Sequence, residues 1–162
     1  MTDQITRIKT PVRLDYLHTA NPLLARFLKG LQKGQILGRV CPKCTKVYVP
    51  ARATCPTCCV ETEVEVEVQD TGVVTTFCVV NIPFEGQLID PPYACAHVLL
   101  DGADVQIFHL VSGCDVADVR MGMRVRAVWA PPGERPLSLE SIRHFAPTGE
   151  PDAPFDDYRE YL

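Results

Sequence analysis

At 162 residues the chain has room for one ordinary domain and a small appendage, and 46% hydrophobic with 22% charged residues is the composition of a folded globular protein, which excludes a disordered or fibrous chain. The net charge of -4 conceals a split: residues 1–60 carry +8, with ten Lys or Arg against Asp3 and Asp15, whereas residues 61–162 carry -12. An acidic second half is a poor match for a phosphate backbone, so nucleic-acid binding ranks last among the functions considered, and the basic front and acidic back predict two units with different partners.

No run approaches the roughly 18 apolar residues of a membrane helix, and the opening "MTDQITRIKT" lacks the apolar stretch of a signal peptide. The expectation is a cytoplasmic protein with no membrane association, whose eight cysteines persist as thiols or metal thiolates. After this polar lead, "NPLLARFLKGLQKG" (21–34) has a helix start and stop: Asn21 to cap, Pro22 in the first turn, Gly34 to end it. Leu23, Leu24, Phe27, Leu28 and Leu31 fall on one stripe, with Arg26, Lys29 and Lys33 elsewhere. Such a stripe either packs on its own domain or docks on another protein, which makes Leu24, Phe27, Leu28 and Leu31 candidate partner contacts. Gly30 weakens the isolated helix by about 1 kcal/mol relative to alanine, so tertiary or partner contacts must complete it.

Next comes "CPKCTKVYVPARATCPTCC" (41–59), two Cys-Pro-x-Cys knuckles separated by ten residues. Cys41, Cys44, Cys55 and Cys58 supply four thiolates, each pair close enough to reach one ion, and the ten intervening residues suffice for a hairpin that brings the pairs together. Tetrahedral Zn2+ is the natural occupant. A redox Cys-x-x-Cys needs one pair at the start of a helix, whereas both pairs here sit among Pro, Thr and Val. Four protein ligands leave no position for water or substrate, so the predicted metal is structural and its binding energy goes into folding the ribbon. Knuckles usually place glycine after the second cysteine; Thr45 and Cys59 hold those places here. Cys58 is the expected ligand, Cys59 a reserve or exposed thiol, and Cys78, Cys95 and Cys114 small buried residues in or near strands.

"ETEVEVEVQ" (61–69) alternates valine with glutamate and predicts a strand with one wet face. Further strands are predicted at 72–81, 94–100, 104–111, 123–130 and 137–145, with Asp101-Gly102 making the second and third of these hairpin partners. "SGCDVADVRMG" is a short helix or a loop. Five strands with a break after the third fit an OB-fold, a partly open Greek-key barrel; a plain β-sandwich is the alternative. The expected organisation is a lead and helix (1–35), a ribbon (36–62), a barrel (63–146) and an acidic aromatic tail (147–162).

No catalytic motif emerges. His18, His97, His109 and His144 are scattered, and Ser112, Ser138 and Ser141 lack a nucleophile elbow. His97 and His109 lie on adjacent predicted strands and could meet, although barrel histidines satisfied by neighbours are more common than proton-transfer pairs. Contact surface is offered instead by the loop "NIPFEGQLIDPPY" (81–93), with Phe84, and by the tail, where Phe155, Tyr158, Tyr161 and Leu162 recur at roughly helical spacing and either fold on a partner or fray.

The order of parts, an amphipathic helix, "CPKCTKVYVPARATCPTC", then a barrel with "DTGVVTTF", "PPYACAHVLLDG" and "MGMRVRAVW", resembles a family in which a rubredoxin-like zinc ribbon precedes an OB-fold. "YVPAR" (48–52), Gly72-Val73 and Gly122-Met123 are the counterparts of its motifs. The resemblance implies a noncatalytic accessory subunit that binds and stabilises a thiolase-superfamily enzyme acting on acyl-CoA in a hetero-oligomer, with relatives accompanying lipid-transfer-protein-like thiolases that act as aldolases in steroid side-chain degradation. A second hypothesis is a protein that presents a CoA thioester at the shared interface, with Lys43, Lys46 and Arg52 meeting the CoA phosphates.

Overall fold

The computed structural model of the protein describes residues 17–162, with Ile8, Thr10 and Leu14 before them. Most of the polar lead lies outside the described residues.

Helix α1 (Pro22–Lys33) starts where the Asn21 side chain accepts a hydrogen bond from the Leu24 N–H at 2.9 Å, and ends at Gly34 in the left-handed conformation (φ 84°). Phe27 and Leu31 are 2% and 0% exposed, while Leu24 and Leu28 are half-buried against the same core. This corrects two expected partner contacts: Phe27 and Leu31 are spent on the chain's own interior. Gly30 shows why the helix accepts a weak residue. A Cβ there would lie 2.9 Å from Leu37 Cδ1 and 3.1 Å from the Gln35 carbonyl oxygen, so only glycine allows the helix to lie down on the strand that follows it.

Strands β1 (Ile36–Val40), β2 (Val47–Tyr48) and β3 (Val64–Val68) form an antiparallel sheet in the order β2-β1-β3. The Val-Glu strand therefore belongs to the ribbon's sheet and not, as the expected boundary at 63 had it, to the barrel. Alternation fixed its two faces but said nothing about which strand it would pair with. Its glutamates meet the helix side of the ribbon: Glu65 pairs with Arg26 at 2.8 Å and Glu67 accepts from Gln35 at 2.9 Å.

The barrel consists of β4 (Thr71–Val80), β5 (Tyr93–Leu100), β6 (Ile107–Val111), β7 (Arg124–Trp129) and β8 (Ile142–Pro147), closed in the order β4-β5-β6-β8-β7. Neighbours are antiparallel except β6 and β8, which meet in parallel at Val111 and Phe145. This is the five-stranded OB-fold. Between β6 and β7 there is a 3₁₀ turn, Val116–Asp118, capped by Asp115. The last strand begins five residues later than expected because Ser138 caps another 3₁₀ turn, Leu139–Ser141, whose Glu140 N–H bonds to the serine hydroxyl. The β5–β6 connection is likewise longer than a tight hairpin, with Gly102 (φ 88°) turning the chain and β6 starting at Ile107.

Ribbon, helix and barrel share one core, in which Leu31, Ile36 and Val49 join Val74, Val98, Val125, Ile142 and Phe145. The junction is also hydrogen-bonded: Val47 N–H donates to the Asp104 carboxylate at 2.8 Å, and Asp104 N–H donates to the Val47 carbonyl at 2.9 Å. The tail neither frays nor forms a regular helix. Arg120 grips Asp152 through two bonds of 2.6 and 2.8 Å, Ala153 N–H donates to the Gly122 carbonyl, and two 3₁₀ turns follow, Phe155–Asp157 and Arg159–Tyr161. Tyr158 is 5% exposed, and Tyr161 donates its hydroxyl to Asp104 at 3.2 Å. Tyr158, expected to be free for a partner, is thus withdrawn, and Tyr161 is half-buried; Phe155 remains exposed.

Candidate functional site: a metal centre and an apolar barrel face

The ribbon brings Cys41, Cys44, Cys55 and Cys58 together, with all four sulfurs within 4.8 Å of one another. Zinc with sulfur ligands at about 2.3 Å in a tetrahedron places sulfurs about 3.8 Å apart, and Cys44 Sγ lies 3.7 Å from Cys55 Sγ. The two knuckles are built alike, fourteen residues apart. Thr45 N–H donates to the Cys41 carbonyl at 3.0 Å, as Cys59 N–H does to the Cys55 carbonyl at 2.9 Å. Cys41 N–H meets the Lys46 carbonyl and Cys55 N–H the Val60 carbonyl, both at 2.9 Å. Backbone N–H groups also point at the thiolates, from Lys43 and Cys44 to Cys41 Sγ (3.4 and 3.5 Å) and from Cys58 to Cys55 Sγ (3.3 Å). Thr45 and Cys59 take left-handed φ values of 61° and 54°, so the chain turns as glycine would turn it, with a side chain present. Cys59 is exposed and outside the sulfur cluster, which settles its place as a turn residue and not a fifth ligand. The donor set and its spacing fit structural Zn2+, which supplies the ribbon's crosslink.

One further group touches the centre. The Tyr48 hydroxyl, in a side chain 3% exposed, lies 3.1 Å from Cys55 Sγ and donates to that thiolate when metal is bound. The hydrogen bond withdraws charge from the sulfur and fixes its direction.

The second feature is on the barrel. The loop between β4 and β5 holds up Ile82, Phe84 and Leu88, which are 80%, 63% and 99% exposed. On the barrel wall a groove of about 490 Å³ is lined mainly by Cys95, Phe108, Leu110, Leu139 and Ile142, with Arg143 and Glu140 at its polar margin. A second groove of about 420 Å³, with Ile89, Pro92, Tyr93 and Val116, shares Leu110 and Arg143 with the first. Together they make a continuous track along the outside of β5, β6 and β8, apolar at the first groove and mixed at the second, where Ser112 and His144 also line it. His109 closes its floor. Leu110 N–H donates to Nδ1 at 2.9 Å, so the ring hydrogen sits on Nε2, facing the Leu139 carbonyl at 3.4 Å, and burial holds the imidazole below its ordinary 6.5. His97 does not meet it. His97 pairs with Phe108 and Ala96 pairs with His109 across the same ladder, so the two rings lie on opposite faces of the barrel wall.

Two family models match consecutive parts of this chain, the ChsH2 rubredoxin-like zinc ribbon domain over residues 28–64 and the ChsH2 C-terminal OB-fold domain over 65–130. A DUF35 domain-containing scaffold protein of Methanocaldococcus jannaschii is 33% identical over 95 residues, which are 58% of this chain and 67% of that protein. The chain belongs to the DUF35 family. A DUF35 protein of unknown function from Sulfolobus solfataricus has the same fold, with a TM-score of 0.56 and 25% identity over 66% of this chain and 78% of that one. A chain of a structure described as the Ltp2-ChsH2(DUF35) aldolase superposes with a TM-score of 0.61 at 21% identity, over 81% of this chain and 98% of that one, and establishes likeness of fold.

In this DUF35 chain the expected phosphate contacts Lys43, Lys46 and Arg52 are all exposed on the ribbon, and none lines either groove on the barrel. Among the described residues their side chains enter no hydrogen bond or ion pair. The barrel face itself was missed. Its signal was in "IFHLV" (107–111), where apolar residues occupy both parities of the strand, so that one apolar set had to face outward. No helix among the described residues is long and apolar enough to cross a membrane.

Proposed function

We propose that this protein is a noncatalytic accessory subunit that binds a thiolase-superfamily enzyme acting on acyl-CoA, of the aldolase type, through the exposed apolar loop and the barrel track. The observation that carries this is the surface itself: Ile82, Phe84 and Leu88 stand more than half exposed on the β4–β5 loop and Phe108 on the wall of the apolar groove, in a chain whose metal is saturated by its own ligands. Contiguous apolar surface of this kind is characteristic of a covered interface. Membership of a family that includes a scaffold protein, and likeness of fold to a chain of a structure described as the Ltp2-ChsH2(DUF35) aldolase, support the same conclusion. A steroid side-chain thioester is the substrate class this assignment implies for the enzyme. Co-expression with a thiolase-like enzyme from the same source, with and without this chain, tests it. A stable complex on which the enzyme's solubility or turnover depends is the expected outcome. Free enzyme of undiminished activity, with no complex on size exclusion, would overturn it.

A CoA thioester at the shared interface is favoured by one further observation, the three exposed cations Lys43, Lys46 and Arg52, left without partners among the described residues around the knuckles. Calorimetry with CoA on the lone chain and on the complex should then show binding that weakens when the three are replaced by glutamine, most strongly at low salt.

A further inference from the structure

Two cysteines outside the metal centre lie side by side on adjacent strands of the barrel wall. In the β4–β5 ladder Cys78 is directly opposite Cys95, and the flanking pairs, Phe77 with Ala96 and Val79 with Ala94, keep regular register; the bulge lies earlier, between Val74 and Thr76. Ala94 and Ala96 are fully buried in the core, so Cys95 and with it Cys78 project from the outer face. Contrary to the burial expected of them, Cys78 is exposed, and Cys95 is half-buried at the edge of the groove beside Phe108 and Leu110. Directly opposite residues of antiparallel strands have Cα atoms about 4.5 to 5.5 Å apart, which lies inside the span of about 4.4 to 6.8 Å that a disulfide bridges without moving the backbone. Among the described residues no other pair of cysteines is placed this way. The four knuckle sulfurs hold metal, Cys59 turns a knuckle, and Cys114 follows β6 with no cysteine opposite it.

We propose that Cys78 and Cys95 are an oxidisable dithiol that closes to a cross-strand disulfide when the protein meets a peroxide. Burial, with the Cys78 thiol next to it, pushes the Cys95 thiol up, so the exposed Cys78 reacts first and Cys95 resolves. The Cys78 thiolate attacks one peroxide oxygen, the O–O bond breaks, and water leaves with the thiol's proton, giving a sulfenic acid. Cys95 Sγ then displaces the sulfenic hydroxyl, which departs as a second water with the Cys95 proton. Two thiols lose two electrons, one peroxide gains them, and a dithiol reductant reverses the sequence. Under the docking proposed above, bound enzyme would cover Cys78 and slow the first step, but the crosslink does not depend on that docking.

The test uses the zinc-loaded full chain treated with one equivalent of hydrogen peroxide, alkylated, and mapped by peptide mass, with zinc measured in parallel. A 78–95 crosslink formed within one chain, with the metal retained, is expected. In C95S the crosslink should vanish and a trappable sulfenic acid should accumulate at Cys78; in C78S both should be absent. Alkylation of both residues after peroxide, oxidation of the knuckle cysteines with release of zinc instead, or crosslinking of Cys78 between chains would each overturn the proposal. If enzyme fails to slow the reaction while the crosslink still forms, docking at this face is refuted and the dithiol stands.

Discussion

Leu31 and Leu88 are the same residue type at the two extremes of exposure, 0% and 99%, and they separate what holds this chain together from what it offers to others. Truncating Leu31 to alanine removes its contacts with a core it shares with Phe27, Ile36 and Val49. For a leucine that cannot be replaced by water, the loss is about 3 kcal/mol, within a range of about 2 to 5. Truncating Leu88 changes the stability of the isolated chain by no more than about 0.5 kcal/mol, since the side chain has almost nothing to lose. The order reverses in the complex. Covering a fully exposed leucine is worth about 1.5 to 3 kcal/mol, or roughly 10- to 100-fold in affinity, and Phe84, starting from 63% exposure, contributes roughly two-thirds of the figure for its size. Urea unfolding of the zinc-loaded variants gives the first pair of numbers, and titration of a thiolase-like enzyme gives the second. A Leu88→Ala chain that unfolds more than about 1 kcal/mol early, or a Leu31→Ala chain of unchanged midpoint that no longer binds enzyme, would refute the division between core and contact surface.

Three further outcomes follow from the geometry. Tyr48→Phe removes the hydroxyl 3.1 Å from Cys55 Sγ and should weaken zinc about 10- to 100-fold in competition with a chelator, with the fold intact by circular dichroism; unchanged affinity would mean that the hydroxyl does not donate to the thiolate. Acid should act in two stages. His109 is held below 6.5 by burial, so its contribution is complete above 6.5 and is lost as pH falls through the lowered value. The Arg124 guanidinium beside Asp101 holds that carboxyl below 3.8, so its contribution is complete above 3.8 and is lost on further acidification. His144 is likewise held below 6.5 by burial, so chemical denaturation across that range should show the upper stage shrink in His109→Gln and vanish when His144 is replaced as well, and a stability independent of pH down to about 4 would contradict the burial of the neutral rings. Tyr158→Ala should cost about 3 kcal/mol in a thermal melt because the ring is 5% exposed, whereas an unchanged melting temperature would detach the tail from the barrel.

The metal ligands were legible because two short spacings constrain four sulfurs whatever the rest of the chain does. The helix was legible for the same local reason, with a cap, a proline and a terminating glycine in their places. Which face of it would be covered was not, since the stripe from Leu24 to Leu31 has the same appearance whether it meets its own barrel or another protein. The expected boundary at 63 fell ahead of a strand, 64–68, that pairs with β1, because a period of two records faces and not partners. In the tail, the spacing of Phe155, Tyr158 and Tyr161 suggested a helix awaiting company; Arg120, Gly122 and Asp104 on the barrel supply the company from far along the same chain. Cys78 and Cys95 are seventeen positions apart and carry no motif, so only the strand register makes them a pair.

Only Gln69 and Asp70 separate β3 of the ribbon from β4 of the barrel, and both are tied down: Gln69 N–H to the Asp101 carbonyl, and the Asp70 carboxylate to the Trp129 indole N–H at 3.1 Å. A joint so short and so fastened has no slack in which to swivel. Whatever takes hold of the sulfur-bound end therefore aims the barrel at the other end, as a handle aims a blade, and removing the ion would disturb orientation at a distance from the place where it sat.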